Sequence, residues 1–204
     1  MVILDIEQGS DEWLAARLGI PTASNFDAII TPTGKKSTQF AGYQNKLIAE
    51  QLAGKPLNNF KSEWMNRGNE LEPEARMYYE FVKDVHVDEV GIVFNNKHHE
   101  IGASPDGLIG IDGGLEIKCP APHTHVGYLL ANKIPNEYIP QVQGNMMVTG
   151  RKWWDFMSYC PELAESGRES LIIRVPRDTE YIKNMRIYMK EFLSGLAEKK
   201  SKLI

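Results

Sequence analysis

The stretch G-A-S-P-D-G-L-I-G-I-D-G-G-L-E-I-K-C, residues Gly102 to Cys119, decides the fold. Gly107 to Ile111 reads as a strand running into a turn at Asp112-Gly113-Gly114, and Leu115 to Cys119 as the strand leaving it, the pattern of a β-hairpin. Side chains two apart on a strand share a face, so Glu116 and Lys118 point the same way and the hairpin folds Asp106 back beside them. Pro105 fixes φ ahead of Asp106 and Gly107 frees the backbone behind it, which sets that carboxylate on a rigid turn.

Two carboxylates and an ammonium converging on one spot suit a hard divalent cation. Mg²⁺ takes one or two carboxylates, keeps several waters and accepts phosphate oxygens. It also lowers the pKa of a bound water and neutralises charge that builds on a phosphodiester. The stretch therefore reads as a metal-dependent phosphodiesterase core, with Asp106 and Glu116 as ligands. Lys118 either orients or deprotonates the water or stabilises the phosphorus, and spacing does not choose among these roles. An ordinary surface hairpin with a cross-strand Glu–Lys ion pair has the same spacing. The Pro-Asp-Gly turn favours the metal site, because a solvated acid needs no such support.

With 204 residues, 42% of them hydrophobic, the chain has material for one substantial core, and a single domain over residues 1–204 is expected. Cys119 and Cys160 each end an apolar strand and read as buried thiols. With no signal-peptide pattern and no apolar run near about 18 residues, they point to a reduced, cytoplasmic protein without a membrane partner. A net charge of -4 argues against a protein that coats nucleic acid by charge alone, though not against a nuclease. Between Arg174 and Lys202 stand eight basic residues and four acidic ones, so a basic face is compatible with the acidic total; Lys199, Lys200 and Lys202 read as a solvated helix end. The histidines, His98-His99 and His123-x-His125 among them, lack partners at zinc-finger spacing and read as solvated loop residues.

Periodicity places helices at Ser10 to Leu18, from Thr22 or Ser24 to Ile30, Gln39 to Ala53, Glu63 to Val82 with a break or kink at Pro73, His125 to Lys133, and Glu137 to Gly150. Ser10 and Ser62 are the expected caps of the first and of the Pro73 helix, and Thr22 or Ser24 of the second. Glu89 to Asn95, Trp153 to Cys160 and Ser170 to Val175 read as strands, one of the two tryptophans Trp153 and Trp154 facing the core, and an amphipathic helix from Thr179 closes the chain. Thr31 to Thr38 reads as a mobile loop. The expected architecture is α/β, with helices layered on a mixed central sheet.

Five separated blocks carry a resemblance: Arg17 to Ser24, Gly68 to Arg76, Ser104-Pro105-Asp106-Gly107, Leu115 to Pro120 and Gln141-Val142-Gln143. In the same order over roughly residues 7 to 175, they resemble the phage lambda exonuclease-like, viral recombinase-type alkaline exonucleases of the PD-(D/E)xK superfamily. The resemblance implies a restriction-endonuclease-like core and a Mg²⁺-dependent exonuclease, with Mn²⁺ as a possible substitute. Such an enzyme degrades the 5′-ended strand of linear duplex DNA to mononucleotides and leaves a 3′ tail. It implies metal ligation by Asp106, Glu116, the Ile117 carbonyl and, at a second site, Glu72, with Lys118 acting on the water. Arg17, Ser24, Ser104 and Gln141 match the 5′-phosphate pocket, and Trp13 would stack on terminal bases. A ring-shaped homotrimer, a single-strand annealing partner and a phage or prophage origin in a bacterial host are also implied. An endonuclease, or a catalytically silent DNA-end-binding subunit, is the alternative.

Overall fold

In the computed structural model, residues 1–57 and 63–203 are described. The chain begins with β1 (Val2–Leu4), α1 (Asp11–Ala16), a 3-10 segment (Ala23–Ala28), α2 (Phe40–Ala53) and α3 (Glu63–Lys83). There follow β2 (Ile92–Phe94), β3 (Gly102–Ala103), β4 (Gly107–Ile109) and β5 (Gly113–Lys118). After them come α4 (Pro122–Ala131), a 3-10 turn (Asn136–Tyr138), α5 (Ile139–Thr149), β6 (Trp153–Tyr159), a further 3-10 segment (Pro161–Ser166), β7 (Ser170–Pro176) and α6 (Thr179–Lys200). Among the described residues no helix is long and apolar enough to cross a membrane.

Two sheets result. β1-β2-β3 is antiparallel, and β4-β5-β6-β7 is the expected mixed sheet, in which β5 and β6 run parallel. The parallel pair requires a crossover, and α4 and α5 supply it. Both faces of the mixed sheet are covered. Leu115, Ile117, Met157 and Tyr159 pack with Ala75 and Tyr79 of α3, while Trp154 joins the larger core built from α2, α5 and α6. Glu116 and Lys118 alternate with Leu115 and Ile117, so they project toward α5.

The hairpin turn lies earlier than its sequence suggests. Gly113 and Gly114 are strand residues of β5, not turn residues, and the reversal falls on Gly110 to Asp112. The cause is the neighbouring strand: a Cβ on Gly113 would lie 2.1 Å from the Trp153 ring, and one on Gly114 would lie 2.3 Å from Trp154. Pro73 does not divide its helix, which is continuous over Glu63–Lys83, and the Ser62 cap lies outside the described residues. The helix expected from Thr22 or Ser24 to Ile30 is a shorter 3-10 segment with no side-chain cap, because both hydroxyls are engaged by Arg17. Ser10 does cap α1, accepting from the Trp13 N–H.

Other expectations are met or revised by burial. Cys119 and Cys160 are buried free thiols, and Trp154 is the core tryptophan. The loop after Ile30 is pinned, with the Tyr181 hydroxyl donating to the Thr31 carbonyl at 2.9 Å and an Ile30–Lys36 bridge. His125 is no loop residue; it is fully buried in α4, with its ring nitrogens 2.7 Å from Ser158 Oγ and 2.9 Å from the Arg168 carbonyl.

The approach of α5 to the 3-10 segment depends on Gly144, where a Cβ would lie 2.3 Å from the Phe26 ring. Gly144→Ala should destabilise the fold by about 1–3 kcal/mol through overpacking. Gly127→Ala, on an open face of α4, should instead stabilise by up to about 1 kcal/mol through helix propensity. Urea denaturation of the two variants checks both signs.

Candidate active site

The β4–β5 register pairs Gly107 with Leu115, and one step further outward stand Asp106 and Glu116. The Asp106 carboxylate accepts the backbone N–H of Ile117 at 2.6 Å, which locks the Pro-Asp-Gly turn to β5. Glu116 is fully buried and surrounded by donors. Lys118 and Gln141 donate to one oxygen, and Asn145 donates to the other at 3.1 Å. Gln141 and Asn145 are four apart on α5, so one helix face presents two amides to one carboxylate.

Burial dominates the electrostatics. It raises Glu116 to about 7, Asp106 adds to the rise, and Lys118 and Asn145 oppose it. Asp106 is raised by burial against the pull of Lys118, the Ile117 N–H and Arg76. For Lys118 burial acts downward, yet Glu116 and Asp106 outweigh it and the net shift is upward. Lys118 is thus the cation that offsets the buried Glu116 and the half-buried Asp106.

Arg76 is a contributor that sequence reading missed. Its guanidinium donates to the Asp106 carbonyl at 3.1 Å, to Glu72 at 2.6 Å and to Glu89 at 2.6 Å. The signal available was its position four residues after Glu72 on one helix. Glu72 itself is raised to about 7, by burial first and Asp106 second, against Arg76 and Lys118. Asn145 carried the parallel signal on α5.

A second cluster surrounds Arg17. One guanidinium nitrogen donates to Ser104 Oγ at 2.8 Å, and another to Thr22 Oγ1 at 3.2 Å and Ser24 Oγ at 3.1 Å. The Trp13 indole N–H reaches the same Ser104 Oγ at 2.9 Å and the Gly91 carbonyl at 3.1 Å, and Arg17 lies 4.1 Å from the centre of that ring. Among the described residues no carboxylate forms an ion pair with Arg17. Burial lowers it to about 10. Ser104 Oγ, already accepting from two donors, has its own O–H left to give. A charged fork ringed by hydroxyls, with Glu50 near enough to act on it but not in ion-pair contact, is a receptor for an oxyanion.

A cleft of about 940 Å³ runs between the two clusters, lined by Trp13 on the Arg17 side and by Glu72, Arg76, Glu89 and Asp106 on the acid side. Of the residues matched to the phosphate pocket, Arg17, Ser24 and Ser104 come together, whereas Gln141 sits with the acids on Glu116. Among the described residues no three His, Cys, Asp or Glu side chains form a ligand cage. The hard oxygens of Asp106 and Glu116, each held above its ordinary pKa, instead fit a cation that takes two carboxylates and completes its shell with water, as Mg²⁺ does.

A family model described as "YqaJ-like viral recombinase domain" matches residues 12–152. An alkaline exonuclease, LHK-Exo, from Laribacter hongkongensis is 36% identical, with a TM-score of 0.86 over 95% of this chain and 96% of that one. Its complex with dAMP matches with a TM-score of 0.85 at the same identity and coverage. A phage-related exonuclease from Haemophilus somnus 129PT shares the fold, with a TM-score of 0.74 at 16% identity over 91% of this chain and 96% of that one. An uncharacterised protein, R354, of Acanthamoeba polyphaga mimivirus is 29% identical over an alignment of 168 residues that covers 76% of this chain and 29% of that protein's length.

The raised acids make a pH prediction for the protein in chelator. Glu116, at about 7 in the fold against an ordinary 4.5, binds a proton that the unfolded chain has lost. Its effect on stability is therefore most favourable below about pH 4.5 and declines as pH rises through about 7. Glu116→Gln should gain on the parent protein in thermal midpoint at pH 8 relative to pH 5. A constant difference between the two midpoints would refute the buried-charge account.

Proposed function

This chain belongs to the YqaJ-like viral recombinase domain family, as the resemblance in its motifs anticipated, and from that membership we propose that it is a DNA exonuclease acting on linear duplex from a 5′-phosphorylated end. The observation that carries the reading is the join between the two clusters. Ser104 accepts from Arg17 at its hydroxyl, and Asp106, two residues on, accepts from the Ile117 N–H with its carboxylate, close enough to Glu116 and Lys118 to shift both. Two residues of chain span at most about 7 Å. A terminal phosphate held at Arg17 and Ser104 therefore lies about one nucleotide from the acids. The structure of LHK-Exo with dAMP accords with a mononucleotide product.

Asp106, Glu116 and the Ile117 carbonyl are the donors proposed for Mg²⁺, or Mn²⁺ in its place, with Glu72 for a second ion. The ion supplies Lewis-acid polarisation of the phosphate and an acidified water. The protein supplies the rest. Arg17, Ser24 and Ser104 bind the 5′ phosphate, Trp13 offers an aromatic face to a terminal base, and Gln141 and Asn145 fix Glu116. Lys118 positions or deprotonates the attacking water. The resemblance extends the proposal to 5′-to-3′ polarity, a 3′ tail for recombination by strand annealing, a homotrimeric ring, an annealing-protein partner and phage-type origin in a bacterial cytoplasm.

Asp106→Ala and Lys118→Ala should each lower Mg²⁺-dependent digestion of linear duplex by about a thousandfold, roughly 4 kcal/mol of transition-state stabilisation, with the fold retained by circular dichroism. Digestion at the parent rate by either variant rejects the assignment, as would cutting of a closed circular duplex.

Arg17→Ala should slow digestion of 5′-phosphorylated ends roughly 10- to 100-fold more than that of 5′-hydroxyl ends, the scale of a charge-assisted contact. Equal slowing of both removes the phosphate role. Duplexes labelled at one end or the other report polarity and product size in the same assay.

A further inference from the structure

The basic run from Arg174 to Lys202 takes no part in either cluster, and the structure divides it. At the end of α6 the charges are used locally, Lys199 donating to Asn45 and Lys202 pairing with Glu198 at 2.7 Å. The earlier residues gather. Lys183, Arg186 and Lys190, at i, i+3 and i+7, lie exposed on one face of α6 with Ile187 between them. Together with Arg177 and Ile182 they line a concavity of about 450 Å³ that has no acid in its lining.

Little nearby offsets this charge. Lys183 pairs with Glu180 at 3.5 Å, but among the described residues Arg177, Arg186 and Lys190 make no ion pair. Arg177 is fixed in place by the carbonyls of Met146 at 2.6 Å and Arg151 at 3.0 Å, and burial and the adjacent Arg186 hold its pKa down. In a chain of net charge -4, four cations with a single ion pair among them repel one another, and an anionic partner relieves the repulsion.

Scale and placement agree with a nucleic-acid backbone. Lys183 to Lys190 cover about 10 Å of helix axis, a length over which duplex DNA carries about six charges. Arg177 is anchored at the C-terminal end of α5, the helix whose Gln141 and Asn145 hold Glu116. From Gln141 to Thr149, the last residue of α5, is roughly 12 Å at helical rise, or three to four base pairs. One rigid helix therefore sets the distance between the acids and the cations.

We propose that this face of α6 grips the sugar–phosphate backbone of the duplex a few base pairs behind the end being digested, without reading its sequence. The inference rests on the exonuclease reading. It is tested by binding of a fluorescent 5′-phosphorylated duplex of about 30 base pairs, in chelator, across a salt series. The proteins compared are the parent, a triple variant (Lys183→Ala, Arg186→Ala, Lys190→Ala), and a control of equal charge change (Lys199→Ala, Lys200→Ala, Lys202→Ala). The expected result is a salt slope reduced in magnitude by about 2–3 in the triple variant, at roughly 0.9 per phosphate contact. Its affinity should fall roughly 10- to 100-fold near 0.15 M salt, while the control stays close to the parent. A triple variant that matches the control overturns the proposal. So does a change in its mass by light scattering, which would make the face a contact between copies of the chain. Failure of the parent itself to bind duplex, or to digest it in Mg²⁺, overturns the exonuclease reading instead.

Discussion

The burial of the Glu116 carboxylate next to that of Asp106 is the constraint around which the rest of the molecule is arranged. Two like charges removed from water are costly unless each is paired and hydrogen-bonded. Strand geometry places Lys118 alongside Glu116, α5 brings two amides to it, and the Ile117 N–H and Arg76 secure the Asp106 turn. The packing serves the same end. Gly113 and Gly114 let β5 lie against the tryptophans of β6, and Gly144 lets α5 close on Phe26. Without those approaches the donors would not reach the acid.

Arg76 and Arg17, one in each cluster, illustrate how partners decide a charge's use. Arg76 is committed, with a carboxylate on two of its nitrogens and a carbonyl on the third. Arg17 has hydroxyl partners, which orient a guanidinium without neutralising it. The first arginine builds the site, and the second is available to a ligand. A single turn, Ser104-Pro105-Asp106, joins the hydroxyl held by Arg17 to the carboxylate held on β5, so the two clusters are positioned together. The small net charge hides a matching asymmetry, with Asp5, Glu7, Glu72, Glu89 and Asp106 around the cleft and cations gathered on α6.

Much of the candidate site was legible before any coordinates, because it is written in local patterns. Asp106, Glu116 and Lys118 follow from strand alternation and one hairpin, and the capping of α1 and the buried stripe of α6 from simple periodicity. Membership in the family was likewise readable from ordered blocks. Arg76 and Asn145 were missed although each stands four residues from a residue already singled out, since a helix face tells which side chains travel together and not what they meet.

What the sequence by itself determined, then, was the hairpin form of the acid-bearing stretch, the α/β class and the kinds of group available for chemistry. Only the tertiary structure decided that Gly113 and Gly114 belong to a strand, that Gln141 holds Glu116 and does not join the Arg17 cluster, that His125 is interior, and that Thr22 and Ser24 serve Arg17 in place of a helix cap. The physical reason is common to all four. A glycine, an amide, an imidazole or a hydroxyl has several uses of similar local free energy, and the contact that selects one comes from chain distant in sequence.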